Sequence, residues 1–103
     1  MNKEEFSSQA LELVRARIGI TSNVRDGLLT ATINAVVDEL ENQNGLSINP
    51  DSAAHLMFVV DYATWRYQSV SDKSLTGSLP MPRHLQFRLH NLILSAAGGA
   101  TDV

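Results

Sequence analysis

Apolar side chains recur every three or four residues along almost the whole sequence, a spacing that places them on one face of an α-helix. No stretch shows the strict apolar–polar alternation of a half-buried β-strand. Clusters of Gly, Pro, Asn and Ser interrupt the helical pattern in three places. The sequence therefore predicts an all-α protein, a small bundle of about four helices with a mobile loop before the last helix.

The interruptions fix the approximate bounds of the predicted helices. We expect them over residues 3–18, 24–42, 50–69 and 82–96. Ser22, Asn23 and Asp26 are all candidate N-caps for the second helix. For the third helix we expect Asn49 at the N-cap and Pro50 in the first turn, where a missing N–H costs nothing.

The segment SVSDKSLTGSLPMP separates the third and fourth predicted helices. A connection of this length is unusual in a compact helical domain, and such loops are commonly functional or disordered. We predict a mobile assembly loop that includes Ser71, Asp72, Lys73, Leu75 and Gly77. Residues 1–96 then form a single domain, and residues 97–103 a flexible C-terminal tail.

Composition excludes several classes of protein. The chain has 103 residues, of which 44% are hydrophobic, as expected for one soluble globular domain. It contains no cysteine, which excludes disulfides, thiol catalysis and cysteine-ligated metals. The N-terminus is acidic where a signal peptide is basic, and the apolar run AAHLMFVV is too short to span a membrane.

Catalytic and metal-binding patterns are missing from the sequence. His84 and His90 are six residues apart, and two ligands on one helix face would be three or four apart. There is no glycine-rich phosphate loop and no nucleophile elbow. We therefore predict no enzymatic activity, no metal and no cofactor.

The charge distribution is uneven along the chain. Residues 1–65 contain four basic and nine acidic groups, a net charge of −5. Residues 66–103 contain four basic and two acidic groups, a net charge of +2, which brings the whole chain to −3. One interpretation is chance. The other is that an acidic face and a basic face meet between neighbouring copies.

Nucleic-acid binding deserves consideration because Arg83, His84, Arg88 and His90 stand on one predicted helix. DNA-binding domains usually have a basic stripe and a basic overall balance, whereas this chain is acidic. A small helical DNA-binding or DNA-packaging regulatory protein is therefore the second hypothesis.

Two predicted helices carry apolar residues on two sides. In the third helix Phe58 and Trp65 lie nearly opposite the main apolar stripe, so this helix is either central or touches another chain. In the fourth helix Phe87 and Leu94 lie away from the core stripe. They either cover the third helix within one chain or form a docking strip for a partner.

Several segments resemble the head–tail connector, or head-completion adaptor, proteins of tailed bacteriophages. They are ATWRYQS, a polar loop and MPRHLQFRLHNLIL, with LVRARIGI and ELENQNG earlier in the chain. The resemblance spans residues 10–94. It implies an all-helical subunit in a ring of about a dozen copies beneath the portal, which extends the DNA channel and joins the tail.

The resemblance also implies partners and a location. The partners are other copies of the chain, the portal protein, a downstream connector or tail-completion protein, and DNA that passes without sequence-specific binding, with no membrane. The location is the virion head–tail interface, and the host cytoplasm during assembly. Together with the two-sided helices it predicts these interface residues: Phe58, Trp65, Arg66, Arg83, His84, Phe87, Arg88, His90 and Leu94.

Overall fold

A computed structural model of the protein describes residues 2–70 and 81–98. They form four helices: α1 (Lys3–Ile18), α2 (Asp26–Asn42), α3 (Ala53–Val70) and α4 (Arg83–Gly98). The predicted small all-α bundle is confirmed. No helix among the described residues is long and apolar enough to cross a membrane.

Two predicted segments fall wholly or partly beyond this description. The predicted assembly loop, with Ser71, Asp72, Lys73, Leu75 and Gly77, lies outside the described residues. Residues 99–103 of the predicted tail also lie outside them. Residues 97 and 98 belong to α4, so the last helix ends two residues later than the sequence predicted.

The ends of α1 follow directly from its sequence. The Asn2 side chain accepts a hydrogen bond from the Glu5 backbone N–H, and the Glu5 carboxylate accepts one from the Asn2 N–H, which together form a capping box. Gly19 ends the helix in the left-handed conformation at φ 88°, where a side chain would be strained. Its N–H donates to the Arg15 carbonyl at 2.8 Å.

The starts of α2 and α3 differ from the predicted ones. Arg25 occupies the N-cap of α2 without a side-chain hydrogen bond, and Ser22 instead accepts from the Val24 N–H within the preceding turn. Asn49 likewise accepts from the Asp51 N–H at 2.9 Å and so forms a turn ahead of α3.

The cap of α3 is therefore Ser52, whose hydroxyl accepts from the His55 N–H at 3.2 Å. Pro50 lies in the turn before the helix and not in its first turn. The predicted Asn49 cap and Pro50 first turn are wrong, because a second cap-forming side chain three residues later competes for the same role.

α3 is the central helix, since it packs against α1, α2 and α4. The third helix, which carries apolar residues on two sides, is thus covered by other helices of the same chain. Of the two alternatives for this helix, a central position in the domain is the one observed. α4 contributes Leu85 and Leu89 to the core, with Leu92 and Ile93 partly buried beside them. The remaining helices supply these buried hydrophobic residues: Phe6, Ala10, Val14, Leu29, Ile33, Val36, Leu40, Leu56, Phe58, Val59, Val60, Tyr62, Ala63 and Tyr67.

His55 makes the stability of the fold dependent on pH. Its Nδ1 accepts a hydrogen bond from the Asn49 N–H at 2.9 Å, and burial lowers the pKa of this half-buried imidazole. The unfolded chain therefore takes up the proton first, and stability should fall as pH drops below the ordinary histidine value of about 6.5.

Urea unfolding between neutral and mildly acidic pH measures this effect. His55→Gln should flatten the fall in unfolding free energy through the histidine range. His84→Gln makes the same substitution on an exposed residue and is the matched control for the substitution itself. A slope that survives in His55→Gln would assign the pH dependence to another group.

Candidate functional site

An exposed row of side chains runs along α4. Arg83, Phe87, His90 and Leu94 follow one another at three- or four-residue steps, so they share one face of the helix, and all four are exposed. We call these four residues the α4 strip. Phe87 is 63% exposed and Leu94 55%, so neither covers α3 within the chain. His84, also exposed, lies beside the strip.

Two of the predicted interface aromatics lie elsewhere. Phe58 is 0% exposed, and the guanidinium of Arg88 lies over its ring, 5.4 Å from the centroid. The prediction that Phe58 lies at an interface is wrong, because the helices around α3 bury that side of it. Trp65 is partly buried against the core, with its ring stacked on Tyr62 at a centroid distance of 6.0 Å.

Arg88 takes part in a charged junction that joins three helices. Asp61 of α3 accepts hydrogen bonds from Arg17 of α1 at 2.5 Å and from Arg88 of α4 at 2.6 Å. Burial alone would raise the pKa of Asp61, but the hydrogen bonds from Arg88 and Arg17 outweigh it and hold the pKa below its usual range. Arg88 therefore joins α4 to α3, and its guanidinium is committed to a contact within the chain.

Arg66 is committed in the same way. The carboxylate of Glu39 in α2 accepts from the Tyr62 hydroxyl at 2.6 Å and from Arg66 at 2.7 Å. Burial and the hydrogen bond to Glu39 raise the pKa of Tyr62 to about 12. The pKa of Glu39 is lowered, since these donors offset the opposing effect of burial. This cluster joins α2 to α3.

Neither cluster was predicted from the sequence. Their partners are 23 to 44 residues apart, so no local spacing identifies them. One signal was present: Asp61 is the only acidic residue of α3, in the middle of an otherwise apolar segment. A lone carboxylate in such a place needs a cationic partner when the helix is buried.

A cleft of about 570 Å³ lies between α1 and α2. Its apolar lining comes from Phe6, Val37 and Ile48. Its acidic lining comes from Glu4, Asp38 and Glu41. We call this the acidic cleft. Lys3 forms an ion pair with Glu41 at 3.0 Å, so the carboxylates of Glu4 and Asp38 leave the lining with a negative balance.

A second groove, of about 370 Å³, lies between α2 and α3 and is mostly apolar. Leu28, 58% exposed, forms part of its wall, and Arg25 and Arg66 supply the charged groups of its lining. Arg25 donates a hydrogen bond to the Tyr67 hydroxyl across it. The charged lining of this groove is therefore cationic, in contrast to that of the acidic cleft.

Within residues 2–70 and 81–98, no three His, Asp or Glu side chains come together in a way that could hold a metal ion. Comparison with protein-family models, curated proteins and solved structures finds no match for this chain. Proposals for its function therefore rest on its sequence motifs and on the surfaces described above.

Proposed function

We propose that the chain is a structural adaptor subunit at the head–tail connector of a tailed phage or prophage. It forms a ring beneath the portal, extends the DNA channel and offers a surface for the tail. The α4 strip carries this proposal, because an exposed aromatic with an arginine neighbour is typical of protein interfaces. The strip also falls within MPRHLQFRLHNLIL, where the resemblance to connector proteins is most specific.

The arrangement of the arginines favours a protein partner over DNA. Arg66 forms an ion pair with Glu39, and Arg88 forms one with Asp61. Two of the four basic residues in the region 66–103 are therefore already neutralised by carboxylates of the same chain. Phosphate binding draws on unpaired Lys and Arg side chains. A DNA-binding or DNA-packaging regulatory role would therefore depend on fewer cationic groups than the sequence suggests.

The proposal predicts a specific set of binding partners. A tagged chain, isolated from cells that produce the virus or an induced prophage, should recover portal and tail-joining proteins, identified by mass spectrometry. Phe87→Glu should reduce that recovery at least about tenfold, as expected for an interface aromatic. It should leave the free energy of unfolding within about 0.5 kcal/mol, because the residue is exposed.

Leu28→Glu is the matched control, since it places the same charge on an equally exposed apolar residue outside the strip. It should preserve recovery. DNA-handling proteins or nucleic acid without portal would support the regulatory alternative. Full recovery with Phe87→Glu would show that the strip is not the partner surface.

A further inference from the structure

We propose that the α4 strip of one copy binds in the acidic cleft of the next copy. This inference rests on the proposed function, since it names the two surfaces that would join neighbouring subunits of the ring. Both surfaces are accessible in the single chain, and each lacks what the other offers. The strip is a convex helix face that carries the apolar side chains of Phe87 and Leu94 beside the cation of Arg83. The cleft is concave, and its lining combines apolar residues with the carboxylates of Glu4 and Asp38.

Charge favours the acidic cleft over a second strip and over the α2–α3 groove. Arg83 carries the positive charge of the strip, and the imidazole of His90 adds a hydrogen-bond donor that suits carboxylates. Glu4 and Asp38 supply acceptors in the cleft. A strip packed on a second strip would offer Arg83 no carboxylate, since neither copy of the strip contains an acidic residue. The α2–α3 groove would place Arg83 near Arg25, and its lining provides no carboxylate among the described residues.

Dimensions agree with this pairing. The strip extends from Arg83 to Leu94 and the α2 side of the cleft from Thr30 to Glu41, twelve residues in each case. Both are therefore about 16 Å long at the helical rise per residue. A helix that lays its apolar side chains in a groove of similar length is a recurrent mode of recognition. Phe87 and Leu94 would contact Val37, the partly exposed apolar residue of the lining, since Phe6 and Ile48 are almost fully buried.

The two surfaces can be used at the same time. The strip lies on α4 and the cleft is lined mainly by α1 and α2, so they share no residue. One copy can therefore give its strip to one neighbour and its cleft to another. Such head-to-tail contacts use two unlike faces and build a ring when the rotation closes.

Two variants that each disable one surface test this pairing. Phe87→Glu disables the strip and keeps the cleft. Asn34→Arg places a bulky cation on an exposed position of the cleft and keeps the strip. Arginine is also a better helix former than asparagine, so we expect α2 to persist, which circular dichroism checks.

Sedimentation equilibrium up to about 1 mM detects dissociation constants in the millimolar range. The wild type and Leu28→Glu should associate beyond the dimer, and each disabled variant alone should be monomeric. In an equal mixture, the intact cleft of Phe87→Glu can bind the intact strip of Asn34→Arg. The mixture should therefore form dimers and nothing larger, because each dimer has then used its only intact strip and its only intact cleft. A monomeric wild type, a monomeric mixture, or association of either variant alone would overturn the proposal.

The pull-down separates this inference from the proposed function. Recovery of portal and tail-joining proteins by a chain that fails the mixing test would leave the connector role standing and remove the strip–cleft contact. Success in the mixing test without recovery of those proteins would keep the contact and remove the connector role.

Discussion

Phe58→Ala should lower the free energy of unfolding by about 3–5 kcal/mol, the cost typical of removing a buried aromatic side chain. The Phe58 ring is fully buried on the central helix, and the side chains around it can only partly collapse into the space. The guanidinium of Arg88 would also lose the ring beneath it. For a domain of this size, that loss is a large fraction of the total stability.

Phe87→Ala provides a matched control, because it makes the same substitution on the exposed face of α4. We expect a change within about 0.5 kcal/mol, as for other surface positions. Urea titrations monitored by the fluorescence of Trp65, the single tryptophan, measure both variants. Equal losses for the two substitutions would contradict the packing described for α3 and α4.

Asp61→Ala should lower the free energy of unfolding by about 1–3 kcal/mol. Loss of one partner from a buried ion pair costs about 3–5 kcal/mol, and from an exposed pair about 0–1 kcal/mol. The Asp61 side chain is only 21% exposed, but Arg17 and Arg88 are 43% and 41% exposed, so water screens part of the interaction. Both arginines would lose their acceptor at once.

A double-mutant cycle that combines Asp61→Ala with Arg88→Ala measures the interaction between these two side chains. If they are in contact, the losses of unfolding free energy from the two substitutions do not add. Asp38→Ala, on an exposed aspartate of α2, is the control and should change stability little. Losses from Asp61→Ala and Arg88→Ala that simply add would contradict the junction.

The junction also has a defined pH dependence. Because the pKa of Asp61 is lowered in the folded protein, its contribution is fully present above the unfolded value of about 3.9 and is lost as pH falls through the folded pKa. The acid-induced fall in stability should therefore be shallower in Asp61→Ala than in the wild type or in Asp38→Ala. The carboxylate of Glu39 titrates in the same direction and remains in all three chains.

The orientation of the α4 strip depends on these same contacts. Leu85 and Leu89 pack on one side of α4 and Arg88 pairs with Asp61, which together determine that Phe87 faces outward. A variant that breaks the junction could thus weaken assembly without touching the strip. Substitutions within the strip test binding more directly, because its residues have no part in the core.

Local periodicity by itself determined the all-helical class, the number of helices, their bounds to within a few residues and the main buried stripe of each. These properties depend on residues three and four apart, which the sequence displays directly. It failed at Asn49 and Ser52, where two good caps compete and only the path of the chain into the core selects one.

Only the tertiary structure decided whether the apolar residues opposite the main stripe of α3 and of α4 are covered. Phe58 and Phe87 are both aromatics opposite a main stripe, yet one is fully buried and the other exposed, because α3 has helices around it and the outer face of α4 has none among the described residues. Tertiary structure likewise brought Arg66 to Glu39 and Arg88 to Asp61, each 27 residues away. Burial and ion pairing between distant residues depend on how helices pack, which local spacing does not encode.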